Sequence, residues 1–98
     1  MAREIKDQVL SFGELQQPHE VLTIAYAGVR METNKLYKGE GTFPTDAMQQ
    51  LIIYLQEQAE NMEGDGVKNI DIKVVTCHDE KGNEVVDYLA TGTIFRLV

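Results

Sequence analysis

The chain has no tryptophan, one cysteine, two prolines and nine basic residues against sixteen acidic ones. The lone cysteine, Cys77, has no partner for an internal disulfide, which fits a reducing cytoplasm. Without tryptophan, four tyrosines and three phenylalanines are a poor supply for a platform that stacks a flavin or a base. The net charge of -7 repels phosphate backbones, and no Lys/Arg cluster offsets it. Nucleic acid is therefore not an expected partner, and anionic membrane surfaces are disfavoured for the same reason. The longest apolar run, residues 51–55, is far short of the roughly 20 residues of a membrane span. The first residues, Met1-Ala2-Arg3-Glu4-Ile5-Lys6-Asp7, are charged and hold no apolar signal core.

What is present is enough for one domain. Hydrophobic residues make up 43% and charged residues 26% of 98 residues, the balance of a globular chain. A chain of this length buries only about 60–65% of its unfolded surface, so a monomer has a thin core. Residues 1–18 read as an N-terminal arm and residues 19–98 as a single α+β domain. In the arm, Ile5, Val9 and Phe12 fall at helical spacing, while an extended segment docked on a neighbour is the alternative. Pro18 closes the arm, because the residue before a proline is pushed away from helix.

Residues 20–33 read as a first strand with both faces largely apolar: Leu22, Ile24 and Tyr26 alternate with Val21, Thr23 and Ala25. Gly28 interrupts it, as at a bulge or a close backbone approach. Residues 34–43 form a loop whose Leu36, Tyr37 and Phe43 predict that it folds back on the body. A helix then starts near Thr45, a suitable N-cap, with Asp46 at the positive end of the dipole. Met48, Leu51, Ile52, Leu55, Ala59 and Met62 make a stripe about 100° wide, the width that faces a sheet. Ile53 projects among polar residues and Tyr54 sits at the stripe's edge, either as ordinary exposed side chains or as a subunit contact. Gly64 or Gly66 ends the helix. Residues 67–77 alternate Ile70, Ile72 and Val74 with Asn69, Asp71 and Lys73, a half-buried strand. A turn tipped by Lys81-Gly82-Asn83 leads to a last strand, residues 85–98, with apolar side chains on both faces.

The order predicts a β-α-β-β fold of the α+β class: a three-stranded antiparallel sheet packed against one helix. One helix covers one face only, so the apolar far side of the last strand predicts a homo-oligomer.

Chemistry-bearing residues are few. Cys77, His78 and Asp79 are all metal-ligand types, and a ring of subunits would bring copies of them together. Against this, neighbours on a strand point to opposite faces, so an ordinary hairpin turn is the plainer reading within one chain. Cys77 with His78 or His19 is the sole nucleophile–base pairing, and no oxyanion site accompanies it. The acids Glu63, Asp65, Asp79 and Glu80 lie at turns, where carboxylates are solvated. Gly39-Glu40-Gly41 and Gly64-Asp65-Gly66 lack the Lys-Ser/Thr of a phosphate loop. The expectation is a protein that is not an enzyme, with no assigned cofactor.

The segment Ala59-Glu60-Asn61-Met62-Glu63-Gly64-Asp65-Gly66-Val67, the strand residues Ile70-Asp71-Ile72 and the run Ala90-Thr91-Gly92-Thr93-Ile94 carry a resemblance. Over roughly the last forty residues the chain resembles the small bacterial and archaeal YbjQ-like family, whose name carries a heavy-metal-binding label. The loop before the helix is shorter than is usual there, and residues 1–18 are an addition. The resemblance implies a dodecin-like subunit and a ring assembly, commonly a pentamer. Dodecins stack flavin on a tryptophan, which this chain lacks, so flavin binding is not carried over. The sequence thus predicts a small cytoplasmic homo-oligomer that binds a small ligand or partner, with a heavy-metal-binding or metal-responsive protein as the alternative.

Overall fold

The computed structural model describes residues 7–32 and 44–98. Its elements are β1 (Val9–Leu10), β2 (His19–Glu32), α1 (Pro44–Asn61), β3 (Gly66–His78) and β4 (Glu84–Leu97). The fold is α+β, with one helix among the described residues and a four-stranded sheet in the order β1-β3-β4-β2. The expected antiparallel trio is there: β4 lies between β2 and β3 and runs antiparallel to both. The fourth strand corrects the three-stranded expectation and makes the sheet mixed, since β1 from the arm pairs in parallel with β3. The reason is local. Val9 passes so close to Gly66 that a β-carbon there would fall on the Val9 backbone, so only glycine admits the added strand. Val9 and Leu10 are thus strand where helical spacing was expected, and the arm docks on its own chain. The 34–43 loop and the capping side chain of Thr45 lie outside the described residues.

The central position of β4 explains its two apolar faces. Val86, Tyr88, Ala90 and Ile94 lie under α1 with Leu51, Leu55 and Ala59. In β2 a bulge between Val21 and Thr23 resets the alternation. Small Ala25 and Ala27 then face the helix, and Ile24 and Tyr26 face away from it. Small residues beneath α1 let the helix sit close to the sheet. Gly28 marks no bulge; Leu89 Cδ2 crowds the place where its β-carbon would stand.

The helix opens at Pro44, where the missing N–H is no loss, so Thr45 lies inside it. It ends at Asn61, one residue before Met62, whose side chain is exposed instead of completing the buried stripe. The stop is a Schellman turn: Gly64 N–H donates to Ala59 O at 2.8 Å and Glu63 N–H to Glu60 O at 3.0 Å. The residue in the left-handed conformation is Glu63, with φ 57°, and neither expected glycine. Gly64 serves a different need, because a β-carbon there would meet Ile94 Cγ2 at 2.7 Å. Asp65 then donates its N–H to Phe95 O and accepts from Leu97 N–H, joining the helix end to β4.

Beyond β1 the arm crosses the end of the sheet, because β1 and β2 are on opposite sides of the β3–β4 pair. A bulge between Lys68 and Asp71 turns two N–H groups of β3 toward it: Asn69 donates to Gly13 O and Ile70 to Ser11 O. Asn69 accepts φ 52° more easily than most residues would. Glu14 anchors the crossing. It accepts from Lys68 Nζ at 2.5 Å and from Asn69 Nδ2 at 3.3 Å, with His19 Nε2 3.7 Å away. Lys68 is almost fully buried, so the arm supplies the counter-charge of a buried cation.

Two outcomes follow from this geometry. Glu63→Gly removes the strain of a left-handed glutamate and is expected to stabilise the fold by about 0.5–1 kcal/mol, after the glycine's unfolded-state entropy offsets part of the gain. Urea unfolding of the two proteins measures it. The Lys68 ammonium, with the Leu15 and Asn69 N–H groups, holds the Glu14 carboxyl down at about 2 from an ordinary 4.5. A depressed carboxylate contributes stability above its ordinary value and loses it as pH falls toward the folded value. Amide-exchange protection of Val9 and Ser11 should therefore decline between about pH 4.5 and 2. In Glu14→Gln the protection should be weaker throughout and carry less of that pH dependence.

Candidate functional site

The hairpin end holds the residue types with metal-ligand chemistry, and the strand geometry separates them. Cys77 pairs with Val85 and His78 with Glu84, so these neighbours lie on opposite faces of the sheet. Cys77 is half-buried and its Sγ lies 3.7 Å from Asp87 Oδ2. His78 is exposed. Asp79 is committed to the turn: one carboxylate oxygen accepts the N–H of Lys81 and that of Asn83, each at 2.9 Å. The Asn83 N–H, followed by that of Lys81, holds its carboxyl below the ordinary value. Among the described residues, no three His, Cys, Asp or Glu side chains come together in a way that could hold a metal ion.

The same end contains a pair that sequence reasoning missed. Arg30 grips Asp87 in a fork, Nε to Oδ1 at 2.7 Å and Nη2 to Oδ2 at 2.9 Å. The guanidinium keeps the Asp87 carboxyl below its usual range, and the Asp87 carboxylate in turn raises the affinity of Arg30 for its proton. The two residues are opposite each other in the β2–β4 register. Only knowledge of that register would have joined them, since they are 57 positions apart in sequence. A polar cleft of about 440 Å³ adjoins the pair, walled by Arg30, Glu32, Asp79, Glu80, Lys81 and Asn83. Its walls mix both signs and select for neither.

The sheet face turned away from α1 is a second region. Register places Ile24, Tyr26, Leu89 and Val75 on it, running diagonally over β2, β4 and β3. Ile24 is 72% exposed and Tyr26 74%, with Leu89 and Val75 exposed beside them. Tyrosine suits a packed position with a polar tip in water. Tyr88 takes one, while Tyr26 lies outside the core because the β2 bulge turns it outward.

A third region lies along the outer side of β3. Phe12 from the arm, Met48, Gln49, Ile52 and Ile53 from α1, and Ile72 from β3 line an apolar groove of about 440 Å³. Ile53 and Tyr54 are both exposed, as their positions on the helical wheel predicted. The helix leans over β2 and β4 more than over β3, which leaves this side open.

No family model matches the chain, and no curated protein matches it. Among solved structures it is similar to a crystal structure of a protein of unknown function from Pediococcus pentosaceus that belongs to the DUF74 family. The TM-score is 0.74 and the identity 12%, covering 93% of this chain and 98% of that one. At that identity the likeness is one of fold. Among the described residues, no helix is long and apolar enough to cross a membrane.

The separation of Cys77, His78 and Asp79 gives a measurable expectation. Titration with zinc, cadmium or copper should give no heat attributable to a site made within one chain, and Cys77→Ser should leave the isotherm unchanged. Saturable binding with 1:1 stoichiometry that Cys77→Ser abolishes would restore these three residues as ligands.

Proposed function

We propose that this chain is a subunit of a homo-oligomer that works by binding a partner or small ligand and has no catalytic role of its own. The observation that carries the reading is the apolar diagonal of Ile24, Tyr26, Leu89 and Val75 on the sheet face that α1 leaves bare. Large side chains gathered on one face mark a contact surface, whereas the same residues scattered would be ordinary. The subunit's shape supports it. Its radius of gyration is 15.5 Å, against about 13 Å for a compact chain of this length, so much of its surface is left for others to cover.

The YbjQ-like and dodecin-like resemblance of the helix end and the last two strands supports the same reading, since it implies a ring of subunits. The single unpaired cysteine supports a cytoplasmic setting. Non-catalytic binding is supported by the commitments of the polar groups: Asp79 holds a turn, Asp87 an arginine and Glu14 a lysine.

Light scattering on the native chain should give a mass well above 11.0 kDa. Tyr26→Asp combined with Ile24→Lys should lower that mass or raise the dissociation constant by roughly a hundredfold, about 3 kcal/mol, with the circular dichroism of the fold retained. A native chain that stays at 11.0 kDa at millimolar concentration would end the proposal.

A further inference from the structure

We infer that Gln58 is a barrier: its side-chain amide closes the β2 edge against strands of other chains. The role is independent of the homo-oligomer reading and holds for a lone subunit as well. β2 is an outer strand, with β4 on one side and, among the described residues, no strand on the other. Its residues 21–27 hold no charge, no proline and no glycine. Seven such residues on an open edge are a place where foreign strands add. The side chains of Ile24 and Tyr26, largely exposed on this stretch, strengthen the attraction.

The ordinary defences of an edge stand only at its two ends. At the start are Pro18, the bulge between Val21 and Thr23, and Glu20, paired with Arg96 Nη1 at 3.1 Å. At the finish are Glu32 and Arg30, the latter forked to Asp87. Charges, proline and bulges all discourage an added strand. None of them lies between Ile24 and Gly28.

Gln58 fills that gap. In an antiparallel pair, alternate residues turn both backbone groups to the same side. Tyr26 turns its two groups away from β4, and Gln58 takes both. Nε2 donates to Tyr26 O at 2.6 Å, and Oε1 accepts the Tyr26 N–H at 3.3 Å. A primary amide carries a donor and an acceptor side by side, the two groups that an incoming strand would bring.

The helix puts the amide where it is needed. At 100° per residue, Gln58 lies about 60° from Leu55 on the wheel of α1, and Ile52 lies about 60° the other way. Ile52 lines the groove beside β3, so Gln58 belongs to the margin over β2. A hydrophobe of the same length would tie the helix to the sheet as well, yet it would leave both groups of Tyr26 open to another chain. For the homo-oligomer proposed above, the barrier leaves copies the face that carries Ile24 and Tyr26 and withholds the edge beside it.

Amide exchange tests the barrier. Gln58→Met keeps the length and helix propensity of the side chain and loses the amide, and Gln58→Ala removes both reach and amide. In each the circular dichroism of the fold should persist, while association through β2 strengthens about tenfold or more. Ile24, Gly28 and Arg30 follow the alternation of Tyr26, so their N–H groups face outward too. Protection of these three amides should rise with protein concentration in both variants and stay independent of it in the native chain. Gln58→Glu, which keeps one acceptor and sets a charge on the edge, should behave as the native chain does. Native-like exchange at the three amides in both variants, up to millimolar concentration, would overturn the barrier and leave Gln58 as a tie between helix and sheet. Unfolding of both variants would overturn it in the same way. Protection that rises with concentration in the native chain would overturn it also, because the edge would then be open.

Discussion

The structure depends on β4 having a neighbour strand on each side and the helix over one face. Its backbone groups are divided between β2 and β3, so neither outer strand can be placed without it. One face carries Tyr88, Ala90 and Ile94 into the helix, and the other carries Phe95, which is fully buried. Phe95 meets the His19 ring in a T-shaped contact with centroids 5.6 Å apart, close to where the arm crosses, and its carbonyl takes the Asp65 N–H from the end of the helix. The last strand in the sequence is thus the element on which helix, arm and both outer strands converge.

Residues 63–66 show how closely unrelated demands are packed. Glu63 reverses the chain, Gly64 clears Ile94, Asp65 ties down the end of β4 and Gly66 lets Val9 approach. Gly64-Asp65-Gly66 resembles a flexible stop in sequence, yet its glycines are required by neighbours that come close, and the left-handed position falls on an acid. Steric room and backbone freedom are different reasons to place a glycine. Here the first applies.

Much of this was legible in the sequence. The helical stripe at Leu51, Ile52, Leu55 and Ala59, the Ile70–Ile72–Val74 alternation and the two-faced last strand each follow from periodicity alone. The arm strand was not legible, because two residues carry no period and their pairing is made by a glycine 57 positions away, at Gly66. The β2 bulge hid which of two apolar sets faced inward, since one extra residue exchanges the faces. The Arg30–Asp87 fork needed the strand register, which composition does not carry. For the three metal-ligand residue types at the hairpin, the sequence correctly foresaw that Cys77 and His78 diverge. It did not foresee that Asp79 is occupied by its own turn.

Gln58 has a consequence that reaches past the single subunit. By laying its amide along Tyr26 it imitates an incoming strand in the middle of the β2 edge. A sheet left open at both margins is a template for indefinite extension, each copy adding to the last. With one margin blocked by its own helix, the subunit can lengthen its sheet in one direction only. A single glutamine amide thereby guards the margin that an endlessly extended sheet would need.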